Sequence, residues 1–120
     1  MAKKILIIED EKALIKNLEL ALGQEYEVLS AITGREGLNK AKSAQPDLIL
    51  LDIMLPDIDG IEVLKQLKVN KATDDIPVIV LTNLSDQQTI SRILANGGKE
   101  YLVKADWSID DLVTKIQSII

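Results

Sequence analysis

The sequence has 120 residues, 47% of them hydrophobic, and a formal net charge of −5. This length is enough for one domain with a sizeable core, and the acidic balance argues against a nucleic-acid-binding surface, which needs a basic stripe. Cysteine and histidine are both absent, which excludes disulfides, thiolate chemistry, imidazole bases and His–Cys metal sites. Any chemistry therefore falls to carboxylates, hydroxyls and amines.

The apolar runs of the chain are short. The longest cover residues 48–51 and 76–81, far fewer than the roughly 20 residues that a membrane-spanning helix needs. Residues 1–4 are followed by only four apolar residues, which does not fit a signal peptide. We therefore expect a cytoplasmic protein with no membrane insertion.

Runs rich in Ile, Val and Leu alternate along the chain with longer segments of helical period. The predicted strands cover residues 4–8, 27–31, 48–52, 78–81 and 100–104. At least three of these are nearly continuous apolar runs, as expected for parallel strands covered on both faces.

A predicted helix follows each strand. The first covers about residues 12–22, with an apolar stripe made of Leu14, Leu18, Ala21 and Leu22. The second follows Thr33, and Glu36 is expected to reach back to that cap residue in a capping box. The third covers residues 60–69, the fourth opens at residues 85–88 and ends at 96–98, and the fifth opens at Ser108.

Five repeats of strand then helix predict an α/β fold. Because each crossover must be right-handed, the expected architecture is a doubly wound, five-stranded parallel sheet with five helices. The sequence shows no internal repeat, low-complexity stretch or linker. We therefore expect one domain over residues 1–120, with no further domain in this sequence.

Polar residues end four of the predicted strands. Glu9 and Asp10 follow the first, Asp52 ends the third, Thr82 follows the fourth and Lys104 ends the fifth. In an open parallel sheet, ligands bind outside the carboxyl ends of the strands. Three carboxylates there would repel one another, and Mg²⁺ would relieve that repulsion. The plain alternative is that these acids are solvated loop residues, but three acids with a Thr and a Lys beside them favour a site.

A carboxylate beside Mg²⁺ can act as a nucleophile towards a phosphoryl donor. Asp52 is the candidate acceptor, in a pocket shared with Glu9 and Asp10. Charge on the transferring group would be neutralised by the cation together with Lys104 and the Thr82 hydroxyl. Taken alone, Lys104 could instead be a lysine that reaches into water, and Thr82 an ordinary strand residue.

Four segments together resemble the response-regulator receiver domain of two-component signalling. They read IIEDE at residues 7–11, PDLILLDIMLPDIDG at 46–60, IPVIVLT at 76–82 and GGKEYLVK at 97–104. Each is weak alone, but their order and distances are highly specific, and the resemblance covers the whole chain. It implies a flavodoxin-like fold with strand order 2-1-3-4-5.

The resemblance also implies roles for matching residues. Asp52 would be the phosphoacceptor, with Glu9, Asp10 and the backbone carbonyl of Met54 completing a Mg²⁺ site. Lys104 would pair with a phosphoryl oxygen.

Two further residues match the switch positions of the family. Thr82 would move in to bond another phosphoryl oxygen, and Tyr101 would then turn inward. A partly exposed sheet residue is the alternative interpretation of Tyr101.

The implied function is a phosphorylation-dependent switch. A sensor histidine kinase, a phosphotransfer protein or a small acyl phosphate would supply the phosphoryl group, and an unidentified output partner would dock on the fourth helix, fifth strand and fifth helix. The chain would catalyse only its own phosphorylation and dephosphorylation, so it would not be an enzyme in the usual sense. The alternative is a degenerate receiver that acts as a phosphorylation-independent interaction module.

Several residues depart from the family pattern. Ala105 stands where the family usually has proline after a cis bond, so the Lys104–Ala105 bond could be cis or trans. Asn83 replaces a small residue, and Trp107 is displaced by one position from the usual aromatic.

Met54 bears on a rival family and on the lifetime of the phosphorylated form. It lacks the carboxylate that a dehalogenase-type phosphohydrolase needs two residues after its nucleophile. Met54 and Leu84 could form an apolar shield that slows hydrolysis of the phosphorylated form.

Overall fold

The computed structural model describes residues 2–83, 87–98 and 100–120. Within these residues, strands and α-helices alternate along the chain. Their bounds are β1 (Lys3–Ile8), α1 (Lys12–Leu22), β2 (Tyr26–Ala31), α2 (Gly34–Ala44), β3 (Leu48–Asp52), α3 (Gly60–Val69), β4 (Val78–Thr82), α4 (Gln87–Ala95), β5 (Glu100–Val103) and α5 (Ile109–Ile119).

The five strands form one parallel sheet in the order β2-β1-β3-β4-β5. This confirms the predicted α/β class, the doubly wound topology and the strand order. Since all strands run in one direction, their carboxyl ends share one edge of the sheet, where the ligand sites of such folds lie.

Alternate residues of the central strands supply two separate cores. Leu6, Ile8, Ile49 and Leu51 belong to the core that also contains buried residues of α2, α3 and α4. Their neighbours in sequence belong to the core with α1 and α5, and include Ile5, Ile7, Leu48 and Leu50. All eight are fully buried, because successive side chains of a strand point to opposite faces and both faces are covered.

The predicted boundaries need small corrections. β1 and β2 each begin one residue earlier than expected, β4 extends by one residue to Thr82, and β5 ends at Val103. Lys104 instead begins a short 3-10 helix, Lys104–Asp106, that connects β5 to α5. In α1 the buried residues are Ile15, Leu18 and Leu22, while Ala21 is exposed, so the apolar stripe is rotated from the predicted one.

Helix ends follow the predicted signals closely. Thr33 caps α2 by accepting a hydrogen bond from Glu36 N at 3.1 Å. The Glu36 carboxylate, however, accepts from Ile32 N at 2.9 Å, one residue before the cap, so the expected reciprocal box is not formed. Ser108 begins α5 with a complete capping box. Gly97, at φ 93°, follows α4 in the left-handed conformation that glycine adopts most readily.

Three predicted features fall partly or wholly outside the described residues. They are the opening of the fourth helix at residues 85 and 86, the apolar shield contributed by Leu84, and Lys99 in the fourth family segment. No described helix has the length and apolar character needed to cross a membrane.

Candidate functional site

The register of the sheet brings the predicted site residues to adjacent strand ends. Ile8 pairs with Leu51, so Glu9 lies beside Asp52. Thr82, the last residue of β4, pairs with Val103, so Lys104 follows directly at the next strand end. The parallel sheet therefore collects residues that are far apart in sequence at one edge.

Three carboxylates form a cluster there. One carboxylate oxygen from each of Glu9, Asp10 and Asp52 lies within 4.8 Å of the other two. Glu9 and Asp52 are buried at 0% and 4% exposure, whereas Asp10 is exposed. A donor set made only of oxygens, with one side open to solvent, suits a hard divalent cation such as Mg²⁺.

Lys104 contacts both buried acids. Its Nζ donates to Glu9 Oε1 at 2.7 Å and lies 3.4 Å from Asp52 Oδ2. The Lys104 side chain is only 12% exposed. One ammonium therefore contacts two acids of a cluster of three, so the cluster carries more negative than positive charge when all three acids are ionised.

The pKa values of Glu9 and Lys104 are both raised, which disfavours the charged form of Glu9 and favours the charged form of Lys104. Burial raises the pKa of Glu9, and its hydrogen bond and charge interaction with Asp52 add to that rise, while Lys104 opposes it. Burial by itself would lower the pKa of Lys104, but its hydrogen bond to Glu9 and the charges of both acids raise the pKa above its ordinary value. The ammonium is therefore held charged, while the raised pKa of Glu9 disfavours its ionised form.

An open cavity of about 380 Å³ lies over the cluster. Residues that line it come from four connecting segments and include Asp10, Glu11, Met54, Pro56, Asn83 and Lys104. The Met54 side chain is 59% exposed, and its backbone N donates to Asp52 Oδ1 at 3.3 Å. Asp52 also lines this cavity, so its carboxylate can be reached from solvent.

The two predicted switch residues occupy different environments. Thr82 is fully buried at the end of β4. Tyr101 pairs with Val80 in β5 and is partly buried against the core with α2, α3 and α4. Their movement on phosphorylation remains a prediction, as do the individual roles of the pocket residues.

The segment after β5 begins with the 3-10 helix Lys104–Asp106. The placement of Ala105 is not described beyond its assignment to that helix, so the cis-or-trans alternative at Lys104–Ala105 falls outside the described features. Trp107 is partly buried against the core with α1 and α5, and its Nε1 is buried without a hydrogen-bond partner in the part of the chain that the structure describes.

Sequence reasoning missed two acids of the β3–α3 loop. Asp59 accepts a hydrogen bond from Ile61 N at 2.8 Å and caps α3. Its position directly before a helix was a signal that could have identified it. Asp57 accepts hydrogen bonds from Gly34 N and Arg35 N, more than 20 residues away, and no local pattern indicates such a contact.

The strand order and the acidic cluster at the carboxyl edge are those of a receiver in two-component signalling, and the cluster fits Mg²⁺ and aspartyl phosphorylation. The chain belongs to the response regulator receiver domain family, whose family model matches residues 5–117. It is 41% identical over 118 residues to the response regulator ArlR of Staphylococcus saprophyticus, with 98% of this chain and 52% of that protein covered. The chain thus spans about half the length of this relative.

Solved structures of the same class are similar over nearly the whole chain. A response regulator receiver domain protein from Methanospirillum hungatei has a TM-score of 0.90 at 31% identity, covering 98% of this chain and 93% of that one. The phosphorylated cyanobacterial phytochrome response regulator RcpA has a TM-score of 0.83 at 31% identity, covering 99% and 91%.

Proposed function

We propose that this receiver domain takes up a phosphoryl group on Asp52 in a Mg²⁺-dependent reaction and thereby changes the surface that it presents to a partner. The observation that carries the proposal is the contact of Lys104 Nζ with both Glu9 Oε1 and Asp52 Oδ2, at 2.7 and 3.4 Å, inside a cluster of three carboxylates. The relative RcpA, which is similar in fold and sequence, is phosphorylated in its structure.

The residues of the pocket divide the chemistry between them. A carboxylate oxygen of Asp52 forms a bond to phosphorus while the bond from phosphorus to the donor breaks, and the electron pair leaves with the donor's imidazole nitrogen or acyl oxygen. Glu9, Asp10 and the Met54 carbonyl would hold Mg²⁺, which supplies positive charge next to the transferring group. Lys104 would exchange its contact with Asp52 for a phosphoryl oxygen, and the Thr82 hydroxyl would donate to another.

The signal would then pass to the surface. Movement of Thr82 towards the phosphoryl group would leave space for Tyr101 to turn inward, and α4, β5 and α5 would present a different face. The phosphoryl donor would be a sensor histidine kinase, a phosphotransfer protein or a small acyl phosphate. The chain would act only on itself, without turnover of a separate substrate, and cytoplasmic localisation is part of this proposal.

Intact-protein mass spectrometry after incubation with acetyl phosphate tests the proposal directly. We expect one phosphoryl adduct in the presence of Mg²⁺ and none when the cation is chelated. Absence of the adduct in a folded, Mg²⁺-saturated protein would favour the alternative, an interaction module that works without phosphorylation.

A further inference from the structure

The β3–α3 loop, residues 53–59, is closed at its base. Gly60 N donates to Ile53 O at 2.8 Å, and a Cβ added at Gly60 would lie 2.3 Å from Asp52 O. Asp59 holds the start of α3 through Ile61 N. Met54 N donates to Asp52 Oδ1 at the other end. These contacts are all local, so they hold the two ends of the loop and leave its middle, around Asp57, to be held in another way.

Asp57 connects the middle of the loop to a different helix. Its Oδ1 accepts from Gly34 N at 2.7 Å and its Oδ2 from Arg35 N at 3.0 Å. These are the first two residues of α2, whose N–H groups have no partner within the helix. Both oxygens of one carboxylate therefore bind backbone groups of a rigid element.

The contact is closely packed as well as hydrogen-bonded. A Cβ added at Gly34 would lie 2.5 Å from Ile58 Cγ1 and 2.8 Å from Val63 Cγ2. The backbone of α2 thus lies directly against the loop, which leaves little freedom at the point where Asp57 binds. The nearby ion pair of Arg35 with Asp57, at 3.9 Å with Arg35 78% exposed, adds little.

We infer that Asp57 is a positioning residue for the metal-binding, phosphoryl-accepting pocket. By binding the N-terminus of α2, it holds the β3–α3 loop in the conformation that sets the direction of the Met54 carbonyl. This inference rests on the proposed function, in which the Met54 carbonyl is a metal ligand. Mg²⁺ requires near-ideal octahedral geometry, so a backbone ligand binds it only as well as its loop is held.

A role limited to capping α2 is the competing explanation. The helix already has a local cap, because Thr33 accepts from Glu36 N. Thr33 lies at the same helix end but has no described hydrogen bond to the β3–α3 loop. Thr33→Ala is therefore a matched control that weakens the helix end and leaves the loop contact in place.

The test compares Mg²⁺ binding, measured by calorimetric titration, with thermal melting in the absence of metal. We expect Asp57→Ala to weaken Mg²⁺ binding by about 3- to 10-fold, at or below the lower end of the effects seen for groups that orient metal ligands. Phosphorylation by acetyl phosphate should slow at limiting Mg²⁺ and recover largely at saturating Mg²⁺. Thr33→Ala should lower the melting temperature while its Mg²⁺ affinity stays within about twofold of the parent's.

Asp57→Asn is a second, more conservative variant that keeps the test possible if Asp57→Ala does not fold. Its amide can accept one of the two hydrogen bonds but turns an NH₂ donor towards the other backbone N–H, so an intermediate loss of Mg²⁺ affinity is expected. Parental Mg²⁺ affinity in both folded Asp57 variants would overturn the inference, as would an equal loss in Thr33→Ala. If the parent binds Mg²⁺ but takes up no phosphoryl group, the proposed function fails, while the order of Mg²⁺ affinities still decides the role of Asp57.

Discussion

Two acidic connections meet at the same edge of the sheet and use their carboxylates differently. After β1, helix α1 begins without a side-chain cap at Glu11, and the acids before it, Glu9 and Asp10, belong to the carboxylate cluster. After β3, Asp57 and Asp59 both accept backbone N–H groups at helix starts. The acids of the first connection belong to a cluster that could hold a cation, and those of the second hold the starts of two helices.

Protonation follows the same division. Burial and the neighbouring Asp52 raise the pKa of Glu9. Desolvation opposes ionisation of Asp57 too, but hydrogen bonds from the backbone N–H groups of Arg35 and Gly34 outweigh it, and the pKa of Asp57 falls below its ordinary value. The two hydrogen bonds from α2 favour the ionised form of Asp57, whereas crowded acids become fully ionised most easily when a cation joins them.

The largest expected difference between the two groups of acids is in phosphorylation itself. Asp52→Asn should abolish phosphoryl uptake without unfolding the protein, since the side chains are nearly isosteric. Asp59→Asn, the same substitution a few residues later, should label at close to the parental level because asparagine is an equally good helix cap. Mass spectrometry after acetyl phosphate treatment measures both, and a labelled Asp52→Asn protein would refute the assignment.

The second largest expected difference between the two groups of acids is in Mg²⁺ affinity. Asp10→Asn is expected to weaken Mg²⁺ binding by roughly tenfold or more, because it removes a charged ligand. In the parent, Mg²⁺ at 100 times its dissociation constant should stabilise folding by about 2.7 kcal/mol. Without metal, Asp10→Asn should melt at a slightly higher temperature than the parent, because repulsion among the carboxylates is relieved. A lower melting temperature would count against a crowded pocket.

The pH dependence of stability should differ in sign between the two connections. Folding raises the pKa of Glu9 above its ordinary 4.5, so just above pH 4.5 the folded protein binds more protons than the unfolded chain. Metal-free stability from this group is then lost as the pH rises through the folded pKa. Relative to Glu9→Gln, the parent should lose stability as the pH rises, and saturating Mg²⁺ should remove that trend; urea denaturation across pH measures both effects.

Asp57 should show the opposite and smaller trend. Its folded pKa lies below the ordinary 3.8, so its contribution is present above pH 3.8 and is lost as the pH falls through the folded pKa. The stability advantage of the parent over Asp57→Asn should therefore be constant near neutral pH and shrink in acid. An advantage that grows as the pH falls would contradict the assignment of Asp57 as an ionised backbone acceptor.

Sequence reasoning was most accurate where a residue's environment depends on its neighbours along the chain. The buried strands β1, β3 and β4 were recognised because continuous aliphatic runs are typical of sheets covered on both faces. Ser108 was recognised as a helix cap for a similarly local reason. The edge strand β5 was placed to within one residue as well, although its four residues are all only partly buried, and its end depends on the 3-10 helix that follows.

The sequence by itself determined the order of elements, the parallel sheet and the set of polar residues at its carboxyl edge, because hydrophobic periodicity and strand direction are properties of the chain. Only the tertiary structure decided that Lys104 contacts Glu9 as well as Asp52, and that Asp57 binds the start of α2. Glu9 meets Lys104 across 95 residues, and Asp57 meets Gly34 across 23. An aspartate in a carboxylate cluster and an aspartate that caps a distant helix are the same residue type. Only the groups that folding brings to their oxygens distinguish them.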